Sequence, residues 1–193
     1  MNKNIQTQWI TPIPQMHLLH PAPKIMVALN DIVFKDDDGS LNTSKRGLPS
    51  DGVTMPYFLD PIWPPFDPKY LRSVLQHDNQ YVLHHLDYQF MQTRKMVDSR
   101  FLRSLRCEKF NNAGLWYFFV EMLGQRVWDR PDTDPDDNAW FVAMKAGDLA
   151  LDEWIRKITE NPRLLEKVKY ATSLTKDSRS LQNDFKNLAY KLT

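Results

Sequence analysis

A single cysteine, Cys107, stands among 193 residues, so no internal disulfide can form. A thiol-stapled scaffold is therefore excluded. A dominant charge is lacking too: 25 Lys and Arg oppose 24 Asp and Glu, for a formal net charge of +1. That balance gives no support to a nucleic-acid-binding surface. No apolar run approaches the roughly 18 residues of a membrane span; Leu115–Val120 is the longest strongly apolar stretch. The polar stretch Met1–Ile10 lacks the apolar centre of a signal peptide. The expectation is a soluble chain with no transmembrane segment and no readable export address.

What is present suffices for one domain with a core. Hydrophobic residues make up 42%, which argues against global disorder. Residues 1–23 carry Pro12, Pro14, Pro21 and Pro23 and read as an extended N-terminal arm, because proline removes donors and fixes φ. Lys24–Phe34, rich in Ile, Val and Leu, reads as a strand. Lys35–Ser40 reads as a turn, and Leu41–Leu48 as a returning strand, which together make an N-terminal β-hairpin. The run Asp36-Asp37-Asp38 could bind a cation, but a solvated turn is the favoured reading, since its spacing is not that of an EF-hand loop.

Ser50–Pro68 is a proline-rich loop pinned by Phe58, Trp63 and Phe66. Three helices are predicted after it: Lys69–Leu86 behind an Asp67-Pro68 start, Thr93–Cys107 with Thr93 as N-cap, and the aromatic Asn112–Trp128. Arg130–Asn138 reads as an acidic, proline-broken linker, followed by helical candidates at Ala139–Thr159, Pro162–Leu174 and Ser178–Leu192. The expected fold is α+β, mainly α. It comprises an arm (1–23), a core domain of hairpin, proline-rich loop and three helices (24–130), and a linker with appended C-terminal helices (131–193).

Two acids fall on helix stripes that otherwise read as core. Asp78 follows Leu71, Val74 and Leu75, and Asp98 precedes Phe101, Leu102 and Leu105 at helical spacing. A buried carboxylate needs a cation, hydrogen-bond donors or a raised pKa. Arg94, one turn before Asp98, is the nearest partner for it. If the first two helices are antiparallel neighbours, Asp98 returns to face His77. The competing reading ties Asp78 and Asp98 through Arg94, Arg72 or Tyr81 into a buried network that fixes helix register. His84 and His85 diverge by about 100° on a helix and read as rim residues. Ser50, Ser73 and Ser99 are not set in a nucleophile elbow, which argues against a serine hydrolase, and Cys107 reads as an inert thiol.

Two resemblances enter at these residues. Gly47-Leu48-Pro49-Ser50-Asp51-Gly52-Val53-Thr54-Met55-Pro56, then His77-Asp78-Asn79-Gln80-Tyr81, then Arg94–Asp98, resembles a phage-borne family of domains of unknown function, number thirteen fifty-three, over residues 24–128. Leu48-Pro49 stands where that family usually has phenylalanine after the glycine, and Val97 where it has a small residue. This likeness implies a phage or prophage origin, a place in the virion or host cytoplasm, and phage structural proteins as partners. H-D-x-x-Y with a later aspartate is also similar to the catalytic helices of phospholipase A2. That resemblance implies His77 as general base, Asp98 as its orienter, and calcium on Asp78; outside the family's pattern, the Asp51 loop offers a different ligand set, Asp51 with Asp78. Tyr81, Arg94, Thr54 and Gly52 would support the site, and the substrate would be a lipid or cell-envelope ester. A glycine-rich calcium loop is not evident: only Gly47 and Gly52 flank Asp51. The alternative expectation is a non-catalytic virion or assembly component that uses its arm, aromatic helix and C-terminal helices for docking. An oligomer is compatible with either.

Overall fold

The computed structural model describes residues 7–18, 26–50, 52, 62–64, 66–86, 90–129, 151–163 and 165. Six short strands precede four helices in this set. The strands are β1 (Gln8–Trp9), β2 (Met16–Leu18), β3 (Met26–Ala28), β4 (Ile32–Lys35), β5 (Leu41–Ser44) and β6 (Pro49–Ser50). The helices are α1 (Leu71–Leu86), α2 (Arg94–Cys107), α3 (Ala113–Trp128) and α4 (Leu151–Glu160). The class is mixed, with helices and small antiparallel sheets.

The strands form two three-stranded sheets, ordered β1-β4-β5 and β2-β3-β6. β4 and β5 pair Ile32 with Ser44 and Lys35 with Leu41, across a turn that Gly39 completes at φ 85°. That positive φ suits the one residue type without a β-carbon. The segment expected as one strand, Lys24–Phe34, is divided: its first part enters one sheet as β3 and its second part the other as β4. β1 and β2 come from the proline-bearing segment that the sequence presents as an arm. β1 pairs Trp9 with Phe34, and β2 pairs Met16 with Ala28. Proline punctuates this segment without preventing short edge strands, because an edge strand leaves one row of donors unused.

α1 is the central element. Leu71 and Leu75 pack with Ala28 and Ile32 beneath the sheets. A second cluster joins Tyr70 and Val74 to Phe101, Leu105, Ala113 and Trp116 on α2 and α3. Burial of a residue such as Leu105 is worth about 1.5–3 kcal/mol, so the two clusters fix α1 from two sides. Burial extends to Gln76, Asn79 and Gln80. A helix buried on nearly every face shows little amphipathic contrast, which is why its apolar stripe alone understates how enclosed it is.

Local chemistry sets the helix ends. Asp67 Oδ1 accepts the Lys69 N–H at 2.9 Å in the turn that leads into α1. Thr93 is extended and its hydroxyl accepts from Met96 N at 3.3 Å, the N-cap predicted for α2. Ser73 on α1 meets Glu108 just beyond α2, while Tyr81 meets Asp98, so α1 and α2 run antiparallel. Among the described residues no helix is long and apolar enough to cross a membrane. Of the C-terminal candidates, α4 falls within Ala139–Thr159 except for its final residue; Ser178–Leu192 and most of Pro162–Leu174 lie outside the described residues.

Candidate functional site

The antiparallel pairing of α1 and α2 brings His77 and Asp98 together. His77 Nε2 lies 3.0 Å from Asp98 Oδ1. The same oxygen accepts the Tyr81 hydroxyl at 2.8 Å, and Asp98 Oδ2 accepts from Arg94 at 2.8 Å. Asp98 is only 2% exposed, so these three donors replace the water it gave up on folding. Arg94 also donates to the Glu121 carbonyl of α3 at 3.2 Å, which ties the network to the third helix.

The imidazole packs against two aromatic rings. Its ring centroid lies 4.6 Å from that of Tyr81 and 4.5 Å from that of Phe101. With Nε2 on Asp98, the other nitrogen, Nδ1, faces Asp78 Oδ1 at 3.9 Å. Asp78 retains 24% of its side-chain surface and His77 11%, against 3% for Asp98, so the network opens on its Asp78 side. Asp78 Oδ2 accepts the Ser50 hydroxyl from β6 at 2.5 Å.

The charge state follows from these contacts. Burial works against an imidazolium at His77, but the carboxylates of Asp78 and Asp98 outweigh it and raise the pKa above the usual histidine value. Burial, with the Asp98 charge behind it, also pushes the Tyr81 phenol up, so Tyr81 stays a hydroxyl donor. The Nε2–H of the neutral imidazole then belongs on Asp98, which leaves the Nδ1 lone pair to accept a proton.

The other sequence-predicted residues separate into three groups. Gly52 is buried at φ 76° and donates its N–H to Ser50 Oγ at 2.9 Å, which connects it to Asp78 through Ser50. Asp51 and Thr54 lie outside the described residues. Arg72, considered as a tie for Asp78 or Asp98, goes elsewhere: it donates to Glu108 Oε1 at 3.1 Å and to the Thr11 carbonyl at 3.0 Å, and it lies over the Trp9 ring. Burial raises the Glu108 pKa, with Ser73 and Arg72 pulling against that rise. His84 stacks on Trp128 with centroids 3.7 Å apart, which places it in an aromatic corner at the end of α3. Burial pushes the Cys107 thiol up, which fits an inert residue.

Calcium takes six to eight oxygens. Asp78 has one oxygen engaged by Ser50, and it belongs to no group of three or more converging acidic, imidazole or thiol ligands among the described residues. The residues described around Asp78 therefore do not fit a calcium ion by themselves. The converging group is Asp36, Asp37 and Asp38. There the solvated-turn expectation fails for its first residue. Asp36 is 2% exposed and clamped by Arg103 at 2.5 and 2.7 Å and Arg100 at 3.2 Å. Two guanidinium groups already neutralise that carboxylate, which disfavours a further cation.

Two contributors escaped the sequence reading. Ser50 is one: its sequence context marks it as part of the Gly47–Pro56 run and as no elbow nucleophile, with nothing to point at Asp78. Gly124 is the other: a β-carbon built on it would lie 2.5 Å from the Tyr81 hydroxyl oxygen and 3.3 Å from an Arg94 nitrogen. A glycine inside a helix costs about 1 kcal/mol against alanine, and that anomaly within the aromatic α3 was the available signal of a close approach. No family model, curated protein or solved structure matches the chain.

Proposed function

We propose that this protein is a hydrolase of the phospholipase A2 type, acting on lipid or cell-envelope ester bonds in a phage context. The observation that carries the reading is the polarity of His77: Nε2 on Asp98 at 3.0 Å and Nδ1 turned to the partly open Asp78 at 3.9 Å. A separation of 3.9 Å exceeds a direct hydrogen bond, so Asp78 does not tie up Nδ1. In this reading His77 Nδ1 removes a proton from a water molecule as its oxygen attacks the ester carbonyl. The proton then passes to the departing alkoxide. Asp98, held in place by hydrogen bonds from Arg94 and Tyr81, orients the ring and stabilises the transient imidazolium. A base with a raised pKa is stronger once deprotonated but needs a higher pH to be free.

Calcium on Asp78 is a separable part of the proposal. It would need oxygens beyond those described, and no step above runs through it. The test is hydrolysis of phospholipid vesicles by the full chain, with calcium and with chelator. Wild type is expected to release fatty acid, and His77→Asn to lower the rate by about 10²–10⁴-fold, the usual contribution of a positioned base. Wild-type levels of hydrolysis in His77→Asn, or none in wild type under either condition, would refute the reading.

Two observations favour a second reading, a non-catalytic virion or assembly component docking to phage structural proteins. Three donors satisfy a nearly sealed Asp98, as a register-fixing network requires. Leu115, Phe118 and Met122 also leave an exposed apolar stripe on α3. A stoichiometric presence in purified particles, with no hydrolysis, is the outcome that selects it.

A further inference from the structure

We infer that Ser50 is a positioning residue of this site, whose hydroxyl fixes Asp78 so that the carboxylate presents its second oxygen to His77. The inference rests on the reading of His77 as a base, yet the geometry it invokes exists without turnover. Ser50 is wholly buried. Its backbone is held on β6, where Ser50 pairs with Met26 of β3. Its oxygen accepts the Gly52 N–H at 2.9 Å, and its own hydrogen goes to Asp78 Oδ2 at 2.5 Å. A hydroxyl has one hydrogen to give and two lone pairs to accept with, so Ser50 can take the Gly52 N–H and still give its hydrogen to the carboxylate oxygen. The Gly52 contact in turn depends on a φ of 76°, which a side chain rarely tolerates.

The consequence for Asp78 is directional. With Oδ2 engaged by the sheet, Oδ1 is left 3.9 Å from His77 Nδ1. Without Ser50, a carboxylate with a quarter of its surface open has reason to swing towards solvent. Ser50 itself is a poor nucleophile here: it is sealed from solvent, and its hydrogen bond runs to an acid instead of an imidazole. The hydroxyl therefore acts through Asp78 and links the β2-β3-β6 sheet to the α1–α2 pair.

The test labels His77 in the full chain with diethyl pyrocarbonate at one fixed neutral pH, with mass spectrometry to follow each histidine and exposed His17 as internal reference. Ser50→Ala and Asp78→Asn are both expected to label His77 several-fold faster than wild type, because the carboxylate no longer faces Nδ1. Ser50→Thr, which keeps the hydroxyl, is expected to label as wild type. Circular dichroism establishes that each variant is folded, and Ser50→Cys, of near-equal volume, takes the place of an alanine variant that is not. Wild-type labelling in folded Ser50→Ala, or in Asp78→Asn, overturns the inference. The expected labelling without hydrolysis by any form sinks the hydrolase reading and leaves the role of Ser50 standing. Hydrolysis by wild type with unchanged labelling in Ser50→Ala sinks the role of Ser50 alone.

Discussion

Gly124 and Tyr81 are packed so closely that a single added methyl on the glycine would collide with the phenolic oxygen, 2.5 Å away. Tyr81 uses that oxygen to donate to Asp98, so α3 sets the position of a donor at the α1–α2 network. Gly124→Ala is expected to destabilise the protein by about 1–3 kcal/mol, the usual cost of overpacking, despite the better helix propensity of alanine. Tyr81→Phe alone should cost about 1.5–3 kcal/mol, the net value of a hydrogen bond to a charged group. The double variant should be more stable than the sum of the two losses implies, since removal of the hydroxyl makes room for the methyl. Urea denaturation of the four proteins measures the cycle. Strict additivity would show that the two side chains do not meet.

The pH dependence of stability isolates His77. Its folded pKa is raised, through Asp78 and Asp98 acting against burial, so folding favours the protonated ring. That contribution is full below the unfolded value of about 6.5 and is lost as pH rises through the higher folded value. The stability difference between wild type and His77→Gln should therefore shrink from mildly acid to mildly alkaline pH. A difference that stays constant or grows contradicts the contacts described for the ring. If His77 is the base of the proposed hydrolysis, the rate should move the opposite way and rise with pH, because only the deprotonated ring accepts a proton.

Asp36 governs the acid side. Burial alone would raise its pKa, but hydrogen bonds from Arg103, the Asp37 backbone and Arg100 lower it instead. Its contribution is present above the unfolded value of about 3.9 and is lost as pH falls through the lower folded value. Asp36→Asn should cost about 3–5 kcal/mol at neutral pH, because Arg100, 7% exposed, would keep a buried charge without its partner. The acid limb of its stability curve should also be shallower than that of wild type. Thermal melts across acid pH test both points, and a loss below 1 kcal/mol would show that the arginines find other acceptors.

What the sequence made legible was local. Thr93 announced its own helix start through side-chain chemistry within three residues, and Asp67 did nearly the same for α1. The spacing of Asp98 from Arg94 is one helical turn, and that pair forms as a helix dictates. Pairing was less legible, because it depends on residues far apart in the chain. Nothing near Lys24–Phe34 says that its two ends join different sheets. Asp36 read as solvent-facing because its partners, Arg100 and Arg103, lie more than sixty residues away on α2. Arg72 went to Glu108 for the same reason: the antiparallel register of α1 and α2 places the acid at the opposite end of α2 from Asp98. At the candidate site, His77, Asp98, Tyr81 and Arg94 meet because each sits on a helix with a readable period. Ser50 reaches Asp78 across 28 positions through a two-residue strand that no periodicity marks.

The two sheets share an uncommon dependence on the start of the chain. β1 is the edge of one and β2 the edge of the other, both within residues 8–18. Trimming those residues for expression, as their proline-rich look invites, would bare a backbone row on β4 and on β3 at the same time. Each exposed row is a template for a neighbouring molecule. A shortened form should then gather into aggregates although α1, α2 and α3 keep every residue they were built from.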